Sequence, residues 1–121
     1  MANVLIVDDS KVLRMAQRAI LEKLGHEVIG EAANGQEGCE RYFERRPDVM
    51  MIDLAMPVMD GIATIEHIKA HDKDAKILLL TSNANAEKID EALAKGAAEV
   101  LLKPLEEALL EDALSRLLET G

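Results

Sequence analysis

Along this chain, acidic, hydroxyl and amino side chains fall at the ends of short apolar runs. Val4-Leu5-Ile6-Val7 leads into Asp8-Asp9, and Val49-Met50-Met51-Ile52 into Asp53. Ile77-Leu78-Leu79-Leu80 leads into Thr81-Ser82, and Val100-Leu101-Leu102 into Lys103-Pro104. Alone, an Asp after a strand reads as a turn former or helix cap, and a Lys-Pro as a loop. Gathered at one place, the same residues have a chemistry in common. Carboxylates brought together repel and raise one another's pKa unless they share a cation. Oxygen donors without sulfur or imidazole suit a hard ion such as Mg²⁺, which keeps waters and completes its shell with phosphate oxygens. An ammonium and a hydroxyl beside that ion are what a phosphoryl group needs, because its transfer is largely positioning and charge neutralisation. One carboxylate can also act as nucleophile and form an aspartyl-phosphate.

Whether these side chains meet depends on the elements that carry them. Each apolar run is short and uninterrupted, as a strand buried on both faces reads. A further run, Glu27 to Ala32, is more polar and contains Gly30, which predicts an edge strand. Between the runs the spacing is helical. Leu13, Ala16, Ile20 and Leu24 share a face that Gly25 ends, and Gln36 to Arg45 makes a second helix with Pro47 beyond it. Asp60 caps a third helix, in which Ile62, Ile65 and Ile68 recur. Ile89, Ala92 and Leu93 mark a fourth, closed by Lys95 and Gly96, and Leu105 to Leu118 makes a fifth. Strand then helix, repeated five times, predicts an α/β fold with a parallel sheet covered on both faces by right-handed crossovers. Ligands of such sheets bind beyond the carboxyl ends of the strands, which is where Asp8, Asp9, Asp53, Thr81, Ser82 and Lys103 lie.

Composition removes other functions. The 121 residues hold 14 Lys+Arg against 23 Asp+Glu, a net charge of −9, with no Trp and two adjacent aromatics, Tyr42 and Phe43. That balance opposes binding to a phosphate backbone, and nothing is available for stacking bases, so no direct nucleic-acid contact is expected. One cysteine, Cys39, excludes an internal disulfide and any CxxC motif. No apolar run approaches a membrane span and no signal peptide is evident, so a cytoplasmic protein is expected. The length fits a single domain over residues 1–121, without a linker or an output domain.

The motif set, Asp8-Asp9 after Val-Leu-Ile-Val, Asp53 to Gly61, Thr81-Ser82 and Gly96 to Pro104, resembles the receiver domain of two-component response regulators. The likeness covers the whole chain and is nearest to the stand-alone, CheY-like chemotaxis type. It implies a flavodoxin-like, doubly wound five-stranded sheet in the order 2-1-3-4-5, and a phosphorylation-dependent signalling switch. It implies Asp53 as phosphoacceptor, fed by a sensor histidine kinase, a phosphotransfer protein or a small phosphodonor. Asp9 and Asp53 match direct Mg²⁺ ligands, Asp8 one acting through water, and the Ala55 backbone carbonyl a further ligand. Lys103 matches the lysine that pairs with the carboxylate and then with phosphoryl oxygens, and Thr81 the hydroxyl that swings onto the phosphoryl group. Pro104 matches a proline commonly preceded by a cis peptide. A monomer whose output is binding to a downstream protein, not catalysis, is the expectation.

The chain departs from that pattern at Val100, where many receivers carry an aromatic ring that rotates inward as the threonine moves. Valine has no ring and few rotamers, so output is expected through backbone shifts in the loop after the fourth strand and in the fourth helix. Ala55 and Asn83 sit where receivers tune phosphate lifetime, and Asn83 is expected to matter more. Three alternatives stand beside this reading. One is a receiver excised from a larger transcriptional regulator or hybrid kinase. An aspartyl-phosphate hydrolase would want a second carboxylate two residues after Asp53, where Ala55 stands. A flavin-mononucleotide binder would want aromatics and a glycine-rich first loop. Elsewhere, His67 and His71 read as a solvated face, Cys39 as a small buried hydrophobe, and Met56 and Met59 as packing. Arg41, Arg45 and Arg46 favour the end of the second helix through its dipole.

Overall fold

A computed structural model describes residues 1–82 and 85–119. Asn83, Thr120 and Gly121 therefore lie outside the described residues. Five strands and five helices alternate: β1 (Asn3–Val7), α1 (Lys11–Lys23), β2 (Glu27–Ala32), α2 (Gly35–Arg45), β3 (Val49–Asp53), α3 (Gly61–His71), β4 (Ile77–Thr81), α4 (Ala86–Lys95), β5 (Glu99–Leu102) and α5 (Glu107–Glu119). The strands pair in parallel in the order β2-β1-β3-β4-β5. This is the flavodoxin-like arrangement, and it brings all the carboxyl ends to one edge.

The uninterrupted apolar strands follow from burial on both faces. Leu5, Val7, Met50, Ile52, Ile77 and Leu79 face Tyr42, Ile65, Ile68 and Ala92 of α2, α3 and α4. Val4, Ile6, Val49, Met51, Leu78 and Leu80 face Leu21 of α1 and Leu110, Leu114 and Leu117 of α5. Cys39 belongs to the first of these layers, 6% exposed, with Met56 and Met59 packed against it. β2 is an edge strand as its polarity predicts. Its register slips where Val4 pairs with Val28 and Leu5 with Gly30, leaving Ile29 as the extra residue. The Arg45 guanidinium donates to the Ile29 carbonyl at 2.8 Å, covering part of the open edge.

Three helices differ from expectation. α5 begins at Glu107, not Leu105, because Lys103 to Glu106 form the turn off β5 and the Glu106 carbonyl accepts the first helical bond, from Leu110. α1 spans its expected stretch, but its buried stripe is rotated by one residue. Gln17 and Leu21 are buried, while Leu13 is 39% and Met15 61% exposed. Leu93 of α4 is also exposed, leaving Ala92 as that helix's buried contact.

Candidate functional site

The carboxyl edge of the sheet gathers the predicted residues through short, tightly capped loops. Asp8 follows β1 with its N–H on the Ala32 carbonyl at 3.0 Å, and its carbonyl accepts from Arg14 at 2.6 Å. Its Oδ1 accepts from the Ser10 N–H at 2.9 Å, and the Ser10 hydroxyl caps α1 by accepting from the Leu13 N–H. Asp53 ends β3. Gly61 starts α3 close behind it, since a Cβ there would lie 2.5 Å from the Asp53 carbonyl oxygen. Lys103 leaves β5 with its N–H on the Thr81 carbonyl at 2.8 Å, and the Lys103–Pro104 peptide is cis.

The side chains then meet. Lys103 Nζ lies 2.9 Å from Asp8 Oδ2 and 3.1 Å from Asp53 Oδ1. Asp8 and Asp53 are almost wholly buried, whereas Asp9 is exposed on the rim. Thr81 is buried at the end of β4, Ser82 is exposed beside it, and Ala55 is exposed in the loop two residues beyond Asp53. Asp8, Asp9 and Asp53 each present a carboxylate oxygen, and these oxygens lie within 4.8 Å of one another. Closely spaced oxygen donors, two on buried residues and one on the rim, fit a hard divalent cation, and Mg²⁺ is the ion this donor set suits.

Burial pushes the Asp53 carboxyl above the ordinary range. Lys103 pulls it back in part, and the like charges of Asp8 and Asp9 add to the rise. Burial pulls Lys103 down, but its bonds to Asp8 and Asp53 outweigh that and raise it, so it stays a cation. A carboxylate raised in the folded state favours the folded protein once protonated. Its contribution is full below the unfolded pKa and is lost as pH rises through the folded one. Without Mg²⁺, Asp53→Asn should therefore melt above the wild type at neutral pH. The gap should close as pH falls through the raised pKa of Asp53 towards the ordinary carboxylate value of about 4. Parallel thermal melts check this; an unchanged gap across that range would count against it.

The loop between β3 and α3, which follows Asp53, carries strain. Val58 holds a φ of +68° at 77% exposure, centred on a three-residue turn closed by Met59 N–H on the Pro57 carbonyl at 2.7 Å. A β-branched residue at positive φ is costly, and its exposed side chain packs too little to compensate. Val58→Gly is expected to stabilise by about 1 kcal/mol, the strain relieved exceeding glycine's entropic cost. Urea titration measures it.

Sequence reasoning missed two partners of Asp8. It paired Lys103 with the acceptor carboxylate alone, and it left out Gln17, whose Nε2 donates to Asp8 Oδ2 at 3.2 Å. A lone Gln in an amphipathic helix carries no signal of such a role. His67 and His71 are exposed as expected, but they are not merely solvated. Both rings meet Phe43 edge-on, at 6.5 and 6.0 Å, and Arg46 covers that ring at 5.1 Å. Val100 is half-buried against the α2–α3–α4 face of the core.

Comparison with known proteins agrees with this geometry. The family model described as response regulator receiver domain matches residues 4–115. The chain is 39% identical to the chemotaxis protein CheY of Thermotoga maritima over 113 residues, 93% of this chain and 94% of that one. It is 40% identical to the transcriptional regulatory protein LiaR of Bacillus subtilis over 115 residues, 94% of this chain but 54% of that protein. It is also similar to a chain in the crystal structure of the CheX–CheY–BeF3–Mg²⁺ complex of Borrelia burgdorferi. There the TM-score is 0.92 at 30% identity, covering 96% of this chain and 88% of that one.

Proposed function

Since the chain belongs to the response regulator receiver family of two-component signalling, we propose that it is a stand-alone, phosphorylation-dependent switch whose acceptor is Asp53. The single observation carrying this is Lys103 held between the buried Asp8 and Asp53 where separate strands end. An Asp53 carboxylate oxygen attacks the phosphorus of the donor. The new O–P bond forms as the P–N bond of a phosphohistidine, or the P–O bond of an acyl phosphate, breaks. The leaving group departs with the bonding electrons. Burial aids the attack by stripping water from the carboxylate. Lys103 then follows the charge onto the phosphoryl oxygens, and the Thr81 hydroxyl turns to them as well.

Asp8, Asp9, Asp53 and the Ala55 carbonyl would hold Mg²⁺, which supplies charge neutralisation at the transferring phosphoryl group. The presence of BeF3 and Mg²⁺ with the Borrelia CheY, and of CheX as its partner, supports a phosphoryl-sized ligand, that ion and a protein partner here. The phosphoryl group biases a two-state protein whose surface near α4, β5 and α5 docks a downstream protein. Its donors are a histidine kinase or a phosphotransfer protein, its compartment is the cytoplasm, and its output is binding by a monomer, not turnover. No helix among the described residues is long and apolar enough to cross a membrane. A receiver joined to an output domain, as the LiaR match suggests, would use the same site. The test is incubation with Mg²⁺ and an acyl phosphate, with a phosphate-sized gain in intact mass expected; no gain overturns the reading.

A further inference from the structure

α1 holds Asp8 from two directions. At its cap, the Ser10 N–H donates to Asp8 Oδ1 at 2.9 Å. Further along, Gln17 Nε2 donates to Asp8 Oδ2 at 3.2 Å. Gln17 is 4% exposed, and beside it lies a cavity of about 180 Å³ whose lining is mostly apolar, with Leu13, Ile20, Leu80 and Leu105 alongside Lys103. A buried amide in such a place needs a partner, and Asp8 is the one its nitrogen has. Gln17 shares the buried stripe of the helix with Leu21, in a place that the apolar spacing would give to its neighbours.

Asp8 Oδ2 has a second donor, Lys103 Nζ at 2.9 Å, but that lysine is shared with Asp53. Under the function proposed above, on which this inference rests, Lys103 leaves for the phosphoryl oxygens during the cycle. Gln17 stays, because it is anchored on a helix and not on a mobile ammonium. From this geometry we infer that Gln17 is a positioning residue, fixing the Asp8 carboxylate for Mg²⁺ independently of Lys103.

Gln17→Met keeps length and shape, removes the donor and borders open space, so it should fold. Direct Mg²⁺ titration of the variant should show affinity about tenfold weaker than wild type, the scale of losing a partner that orients a carboxylate of the metal site. In an Asp8→Ala background the same substitution should change Mg²⁺ affinity less than about twofold, since there is no carboxylate left to orient. Gln17→Leu should repeat both results, with thermal melts reporting the fold. Unchanged affinity in Gln17→Met, or an equal loss in both backgrounds, overturns the inference. So does loss of the fold in both Gln17 variants, which would make its role structural. If the wild type binds Mg²⁺ and takes up phosphate while Gln17→Met binds Mg²⁺ as well as wild type, only this inference fails. If the wild type does neither, the proposed function fails, and this with it.

Discussion

Asp53→Asn should take up no phosphoryl group from an acyl phosphate under conditions that load the wild type. The substitution keeps side-chain shape and leaves an oxygen for Lys103, now 3.1 Å from Asp53 Oδ1. It removes the nucleophile, because an amide oxygen has neither the charge nor the basicity to displace a leaving group from phosphorus. Asp8 cannot substitute: it is 1% exposed, and both its oxygens are already engaged, by Ser10, Gln17 and Lys103. Intact mass spectrometry should therefore show uptake reduced about a thousandfold or more, below detection. A persisting phosphate-sized gain would place the acceptor elsewhere, and Asp53 would lose its role.

Lys103→Met should move two quantities in opposite directions. Phosphoryl uptake should fall about 10²- to 10³-fold, the scale for removing one charged donor from a developing anion. Mg²⁺ affinity should rise, by about tenfold, because Lys103 is a resident cation on the carboxylates that an incoming ion must also use. Repulsion between an ammonium and a divalent ion over a few ångströms outweighs one lost orienting bond. This separates Lys103 from Gln17, whose neutral amide orients Asp8 without competing for it. The variant should also melt lower without Mg²⁺, by about 3 kcal/mol, as two buried carboxylates lose their counter-ion. Added Mg²⁺ should restore part of that by binding the folded state alone. If Mg²⁺ affinity fell together with uptake, Lys103 would be a scaffold for the site and not a cation in competition with the ion.

Most of the side-chain cluster at the carboxyl edge is legible in local sequence. Asp8, Asp53, Thr81 and Lys103 end apolar runs, and parallel strands buried on both faces must deliver their carboxyl ends to one edge. Periodicity and polarity likewise placed β2 at an edge and gave every helix its approximate span. These are local properties: strand burial, helix capping and turn chemistry act within a few residues, so the chain states them directly.

Pairing across distance comes from the packing of the folded chain. Lys103 and Asp8 are 95 positions apart, and nothing in either neighbourhood says that the lysine bridges two carboxylates instead of one. The phase of α1 was misread because Leu13, Ala16, Ile20 and Leu24 form a plausible apolar face. The fold instead turns Leu21 into the core and Gln17 onto Asp8, and these contacts exist only once β1 and α1 have packed. The positive φ at Val58 and the ring cluster around Phe43 are of the same kind. Local sequence suffices to say which groups stand at the carboxyl edge of the sheet and what chemistry they suit. Only the folded packing decided which donor holds which carboxylate, because such choices depend on side chains meeting from elements that are remote in the chain.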